Sequence, residues 1–299
     1  MSKIIECVPN FSEGRDKKKI EKLADVFRGK WGVKLLDYSG DSDHNRSVIT
    51  VVGEPETLKN AVIEVIGKAV ELIDLRKQSG QHPRMGSVDV VPFIPIKNVS
   101  MAEAVAISKE VAKEVGERYG VPTFLYEASA SAPHRVNLAN VRKGEFEGLL
   151  EKMKLPEWKA DYGPSSPHPT AGAIAIGARR PLIAYNINLS TNNIEIAYAI
   201  AKKVRHSGGG LRYCKAMGVE LKERNTAQVS MNLTNYTITS IYQVHEMVRM
   251  EAQRYGVNII GSEIIGLVPM AALAESAAYY LGIENFSIKQ VLENKLLDD

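Results

Sequence analysis

The segment Gly80-Gln81-His82-Pro83-Arg84-Met85-Gly86 sets an imidazole and a guanidinium two residues apart. Pro83 biases His82 away from helical angles, so the ring stands on extended backbone between two regular elements. Histidine titrates near neutrality, which suits a general base that must later return its proton. In an extended segment Arg84 shares the side of His82, and its forked guanidinium matches a carboxylate. On spacing alone, a plain surface histidine is the simpler reading of His82. A second segment, Gly163-Pro164-Ser165-Ser166-Pro167-His168-Pro169-Thr170-Ala171-Gly172, is too rigid for a flexible linker and too polar for core. Its prolines fix the shape while Ser165, Ser166 and Thr170 supply donors. Such a strap suits an extended polar ligand, and suits an inert crossover equally well. A third, Asn10-Phe11-Ser12-Glu13-Gly14, leaves the opening strand and reads on spacing as a turn into a helix.

Other combinations fail. Ser207-Gly208-Gly209-Gly210 follows a helix rather than a strand, so it reads as a connector and not a phosphate cradle. His245-Glu246 begins like a zinc-binding HExxH, but Arg249 stands at the second histidine position. Asp41, Asp43 and His44 read as an Asx-rich hairpin turn before a metal site. The only cysteines are Cys7 and Cys214, which excludes a zinc ribbon and a disulfide framework and fits a reducing compartment. No metal is expected.

Composition narrows the class further. The chain has 299 residues, 44% hydrophobic and 24% charged, which is ordinary globular usage and room for two domains or one large one. Lys+Arg 38 against Asp+Glu 35 is nearly balanced, and the one compact basic run, Lys17-Lys18-Lys19, is interrupted by Asp16 and Glu21; a nucleic-acid partner is not expected. The best membrane candidate, Ile264 to Ile283, contains Pro269 and Glu275 and reads as buried structure. The opening Met1-Ser2-Lys3-Ile4-Ile5-Glu6 puts a carboxylate where a signal peptide needs apolar residues, so a cytoplasmic location is expected.

The elements that must carry these segments follow from periodicity. Lys3–Val8, Val33–Tyr38, Ser47–Val52 and Val88–Ile96 read as strands, with helices from Asp16 to Arg28 and from Pro55 onward, giving the order β-α-β-β-α-β. A capping box at Ser100-Met101-Ala102-Glu103 starts another helix that Gly120 ends, before a strand over Val121–Tyr126 and a helical, then irregular, stretch from His134 to Ala171. The second half repeats the pattern: strands at Leu182–Leu189, Tyr213–Leu221, Ala227–Leu233 and Val257–Gly261, a helix capped by Thr191 or Asn192, and helices at Ser240–Tyr255 and Ala271–Leu281. The predicted class is α+β: two ferredoxin-like (βαββαβ) subdomains, residues 1–178 and 179–299, with antiparallel or mixed sheets and helices packed on one face. A Rossmann sheet is the runner-up, but the turn after the first strand lacks its glycine spacing.

These residues carry a resemblance. Glu6-Cys7-Val8-Pro9-Asn10-Phe11-Ser12-Glu13-Gly14, His82-Pro83-Arg84-Met85-Gly86 with Asp89, Val90 and Pro92-Phe93-Ile94-Pro95, and Gly163-Pro164-Ser165-Ser166 resemble the glutamate formimidoyltransferase family. Ala184-Tyr185-Asn186-Ile187-Asn188-Leu189, Ala227-Gln228-Val229-Ser230 with Asn232, and Gly266-Leu267-Val268-Pro269 are similar to the same family, so the resemblance spans residues 6 to 269. It implies transfer of a formimidoyl group from N-formimino-L-glutamate to N5 of tetrahydrofolate, in histidine breakdown, with tetrahydrofolate as co-substrate. The family's catalytic histidine falls on His82, and its folate-binding strap on Gly163 to Gly172. Animal members continue into a cyclodeaminase domain; this sequence ends at Asp299, so a separate cyclodeaminase polypeptide is expected. Homodimerisation is an expectation from family habit.

For such a reaction a single imidazole can take a proton from N5 and return it to the departing amine, help worth about 10²–10⁴ in rate. Arg84 is then the candidate for a glutamate carboxylate, Asn10 a further substrate contact, and Asp37 a candidate partner for the cationic amidine, with a turn-capping role as its alternative. A cleft between subdomains holding both substrates would make the reaction nearly unimolecular. The rival readings are a transferase using N-formylglutamate as donor, which His82 and Arg84 would serve equally, and a non-catalytic module binding amino acids or folate.

Overall fold

The β-branched run Ile4–Cys7 forms strand β1, which breaks at Val8-Pro9 and resumes as the two-residue strand β2, Asn10–Phe11. In the computed structural model, residues 3–42, 44–80 and 82–297 are described; Asp43 and Gln81, part of two segments read above, lie outside them. The chain divides into two units, residues 1–179 and 180–299.

In the first unit Asp16 caps helix α1 (Lys17–Asp25) by accepting from the backbone of Lys18 and Lys19. Strands β3 (Val33–Asp41) and β4 (Arg46–Gly53) form a hairpin. Helix α2 (Pro55–Leu72) opens on a proline at its first turn, where no N–H is needed. Strand β5 (Val88–Lys97) precedes α3 (Met101–Tyr119), whose Ser100/Glu103 capping box and left-handed Gly120 are both formed as predicted. Then come β6 (Thr123–Glu127), α4 (Leu138–Arg142), α5 (Glu145–Met153) and β7 (Ile174–Ala178). Strand β3 pairs with β4, β4 runs antiparallel to β1 and β2, and both of these run antiparallel to β5. Beyond β5 the sheet turns parallel, with β7 between β5 and β6.

The second unit contains β8 (Ile183–Leu189), α6 (Ile194–Val204), β9 (Cys214–Leu221), β10 (Thr226–Leu233), α7 (Ile241–Gln253), β11 (Ile259–Ile265), α8 (Met270–Leu281) and α9 (Leu292–Leu297). Its sheet has the order β11-β8-β10-β9, antiparallel throughout, and Ile187, Val229 and Ile200 share one core with Val244 and Val248. The Ile264–Ile283 stretch divides between β11 and α8, and no helix among the described residues is long and apolar enough to cross a membrane.

The structure departs from expectation in four places. Strand β7 was not anticipated: it is five residues, buried throughout and parallel to both neighbours, so it shows no alternation to read. The β3–β4 turn is tighter than predicted, because Asp41 still pairs with Arg46. The cap of α6 is Asn193, whose side chain accepts from Glu195 N, rather than Thr191 or Asn192. Helices do not cover one face alone in the first unit. Val91, Phe93, Leu125 and Ile176 pack on the α2–α3 side, while Val90, Phe124, Tyr126 and Ala175 face a second core closed by Val141, Leu149 and Met153 from α4 and α5. Strands β7 and β6 carry apolar side chains on both faces, so α4 and α5 cover the face that α2 and α3 leave open.

Candidate active site

The site begins with an irregularity in β5. Phe11 pairs with Val88 and Asn10 with Val90, so β5 advances two residues against one of β2, and Asp89 is the extra residue of a β-bulge. Val91 and Phe93 face the α2–α3 core, and strict alternation would send Asp89 there too. The bulge turns it to the opposite face, where it is fully buried among polar partners. Asp89 Oδ2 receives Arg46 from β4 at 2.9 Å and Arg142 from the end of α4 at 2.5 Å, while Oδ1 accepts Met85 N at 3.0 Å. Arg46 donates onward, through Nε to Asn10 Oδ1 at 3.1 Å and through a terminal nitrogen to His82 Nδ1 at 3.0 Å. Thus His82 and Asn10 are brought together by an arginine that neither the spacing nor the resemblance had singled out.

The electrostatics follow from this crowding. Burial raises the Asp89 carboxyl, but Arg142 and Arg46 outweigh it and hold it at about 2. Burial lowers Arg46 to about 10, which leaves it charged at neutral pH. His82 is pushed down to about 3, first by burial and then by the Arg46 and Arg142 charges, with Asp89 and the Pro83 carbonyl pulling weakly the other way. The imidazole is therefore neutral. Its Nδ1 has two partners with opposite demands: Arg46 can only donate, and the Pro83 carbonyl, 2.7 Å away, can only accept. Facing Arg46, the ring carries its hydrogen on Nε2; facing Pro83, Nδ1–H donates and Nε2 is bare and basic. Proton uptake requires the second arrangement, so protonation of His82 exchanges the partner of Nδ1.

The three irregular segments meet at Gly86 and Ser87. Ser12 Oγ donates to Gly86 O at 2.7 Å and Ser12 N to Ser87 O at 2.9 Å. From the strap, Ala171 O accepts Ser87 N at 3.0 Å, and Gly172 bridges to Gly86. Gly172 has φ +66°, and a Cβ there would lie 2.2 Å from Met85 O, so the close approach of strap and His82 loop requires glycine. Thr170 O accepts Leu75 N at 2.8 Å. His168 turns inward on the strap: its Nδ1 accepts from Thr170 N at 3.3 Å and Ala171 N at 3.0 Å, and burial lowers its pKa, as an acceptor role requires. The other end rests against α3, where Gly163, at φ +86°, lies close to Val121 O and Gly116. Ser165 and Ser166 are exposed between these anchors, with Pro164 beside them and Pro167 and Pro169 flanking His168.

Two candidates stand apart from His82. Arg84 turns away from it and donates to Gln78 O and Glu147, each at 2.8 Å, with Glu145 at 3.5 Å. Two carboxylates already answer that guanidinium. Asp37 pairs in the sheet with Thr50, which shares a strand face with Arg46 four residues away, about 14 Å along β4. It borders the polar face without reaching the His82 cluster.

The sequence carried one signal for the missed residues. Asp89 interrupts the apolar run Val88-Asp89-Val90-Val91, and a charge within a buried strand must be paired. Nothing local points to Arg142, which ends a five-residue helix.

Residues 4–179 match the Formiminotransferase domain, N-terminal subdomain, and residues 184–297 match the Formiminotransferase domain. Glutamate formimidoyltransferase of Streptococcus pyogenes serotype M1 is 53% identical over 298 residues, covering 99% of this chain and 100% of that protein. The protein of the same name from Thermoplasma acidophilum is 45% identical, covering 98% and 97%. Formimidoyltransferase-cyclodeaminase of Rattus norvegicus is 42% identical over 96% of this chain but only 54% of its own length, so the chain spans about half of that bifunctional relative. With both halves matched and near-complete coverage at these identities, the chain belongs to the formiminotransferase family and is a transferase enzyme.

Proposed function

We propose that the enzyme moves the formimidoyl group from N-formimino-L-glutamate to N5 of tetrahydrofolate, as a step of histidine degradation, with His82 as the proton carrier. N5 attacks the formimidoyl carbon, a tetrahedral adduct forms, and the glutamate amine leaves. One proton departs from N5 and one arrives on the leaving nitrogen, so an imidazole that is neutral at the start can accept the first and deliver the second. The observation that carries this reading is a neutral, half-buried His82 at the meeting of three segments, in a chain 53% identical to a protein named for the same transfer. The strap Gly163–Gly172 supports a folate role by its exposed Ser165 and Ser166 and its anchorage beside the His82 loop. The strand orders β3-β4-β1-β5 and β9-β10-β8-β11, each with two crossover helices, support a ferredoxin-like reading of both units.

Isotope-traced transfer from formiminoglutamate to tetrahydrofolate by the purified chain tests the reaction. His82→Gln should fold and lose about 10²–10⁴ of the turnover; wild-type turnover in a folded variant would remove His82 from this role.

A further inference from the structure

We propose that Arg46 and Arg142 hold the α-carboxylate of the amino-acid donor. This rests on the donor being an N-substituted glutamate, as read above. The charge count is the starting point. Two guanidiniums share one carboxylate, and both Asp89 oxygens are occupied, so one positive charge is left over. The side chains of Arg46 and Arg142 are only 12% and 15% exposed, so water solvates that surplus poorly. Arg142 Nε is buried with no hydrogen-bond partner, and among the described residues its one ion pair is with Asp89. Neither histidine described near the pair changes this count: His82 is neutral, and His44 of the β3–β4 turn, its ring 6.5 Å from that of His82, lies 3.0 Å from Asp41. Arg84 shows the opposite balance, with Glu145 and Glu147 both directed at it.

The position suits the chemistry. The leaving nitrogen of glutamate is bonded to the carbon that bears the α-carboxylate. An α-carboxylate on the guanidinium that touches His82 Nδ1 at 3.0 Å therefore brings that nitrogen beside the imidazole. The anion would also offset the positive field that keeps the ring from accepting a proton.

Arg142→Met isolates the effect, because Arg46 and Asp89 remain as a neutral pair and the fold keeps its counter-ion. L-Glutamate, the product, should bind this variant about tenfold to a hundredfold more weakly by calorimetry, as expected for loss of a charge-assisted contact. The KM for the donor should rise in step, with the KM for tetrahydrofolate unchanged. 4-Aminobutyrate, which is glutamate without its α-carboxylate, should bind wild type weakly and lose nothing further in the variant. Unchanged glutamate affinity, or an equal loss for 4-aminobutyrate, overturns the proposal. Should Arg142→Met fail to fold, Arg142→Lys keeps the charge without the fork and should still weaken glutamate several-fold; full affinity there overturns the proposal equally. Glutamate binding requires no turnover. Wild type that binds glutamate through Arg142 but transfers nothing would sink the catalytic reading alone, and transfer that ignores Arg142 would sink this inference alone.

Discussion

Replacing Asp89 by asparagine keeps the shape of the side chain and removes its charge, which makes it a direct test of the buried cluster. The amide oxygen can still accept from Met85 N, but the other position now presents N–H groups to Arg46 and Arg142, where Oδ2 had received them at 2.9 and 2.5 Å. Two guanidiniums are left facing each other without a counter-charge. Breaking a buried ion pair in this way costs about 3–5 kcal/mol. In a unit of 179 residues, 1 kcal/mol moves the midpoint by about 2–4 °C, so a fall in Tm of about 6–20 °C is expected. Differential scanning calorimetry at neutral pH and fixed ionic strength reads it directly. The second arm is Asp89→Asn with Arg142→Met: removing one stranded cation should recover a large part of the loss, so the two changes will not be additive. A shift below about 2 °C for Asp89→Asn, or strict additivity in the pair, would show that Asp89 does not hold these cations together.

Acid should weaken the protein through the same cluster. His82 sits at about 3 folded against an ordinary 6.5, so between those values the unfolded chain binds a proton that the folded one refuses, and stability falls as pH drops. Asp89, at about 2 against 3.8, adds a further loss between about pH 4 and 2. Because the ring is only half-buried, the His82 share should stay below about 1.4 kcal/mol per pH unit, and His82→Gln should flatten the Tm profile from pH 7 to 5; parallel profiles would reject this. His168→Ala strips two strap N–H groups of their acceptor and should raise the KM for tetrahydrofolate with little change in the donor KM. Steady-state kinetics with each substrate varied decides it, and an unchanged folate KM would leave His168 without a role in shaping the strap.

Much of the scaffold was legible because it obeys local rules. The capping box at Ser100 and Glu103, the proline at the start of α2 and the stop at Gly120 each depend on a few neighbouring residues, and each formed where expected. His82 could be singled out because proline and glycine punctuate its surroundings. Of its partners, Asp89 shows only as a charge inside an apolar strand, and nothing local marks Arg46 or Arg142. Arg46, Asp89 and Arg142 come from a hairpin strand, a bulged strand and a short helix, and they meet only through the pairing of β2 with both β4 and β5 and the packing of α4 on the sheet. Arg84 illustrates the converse. Its nearness to His82 in sequence suggested a shared substrate, yet Glu145 and Glu147, some sixty residues further on, claim its guanidinium. Strand β7 stayed hidden because a parallel strand buried on both faces has no polar side to alternate with.

The bulge in β5 makes the charge of this site depend on strand length as well as on residue identity. The one residue between Val88 and Val90 is Asp89 itself, so restoring a regular ladder with β2 by deletion there would remove the carboxylate along with the bulge. A single-codon deletion there would thus leave Arg46 and Arg142 in place with nothing between them to answer their charge.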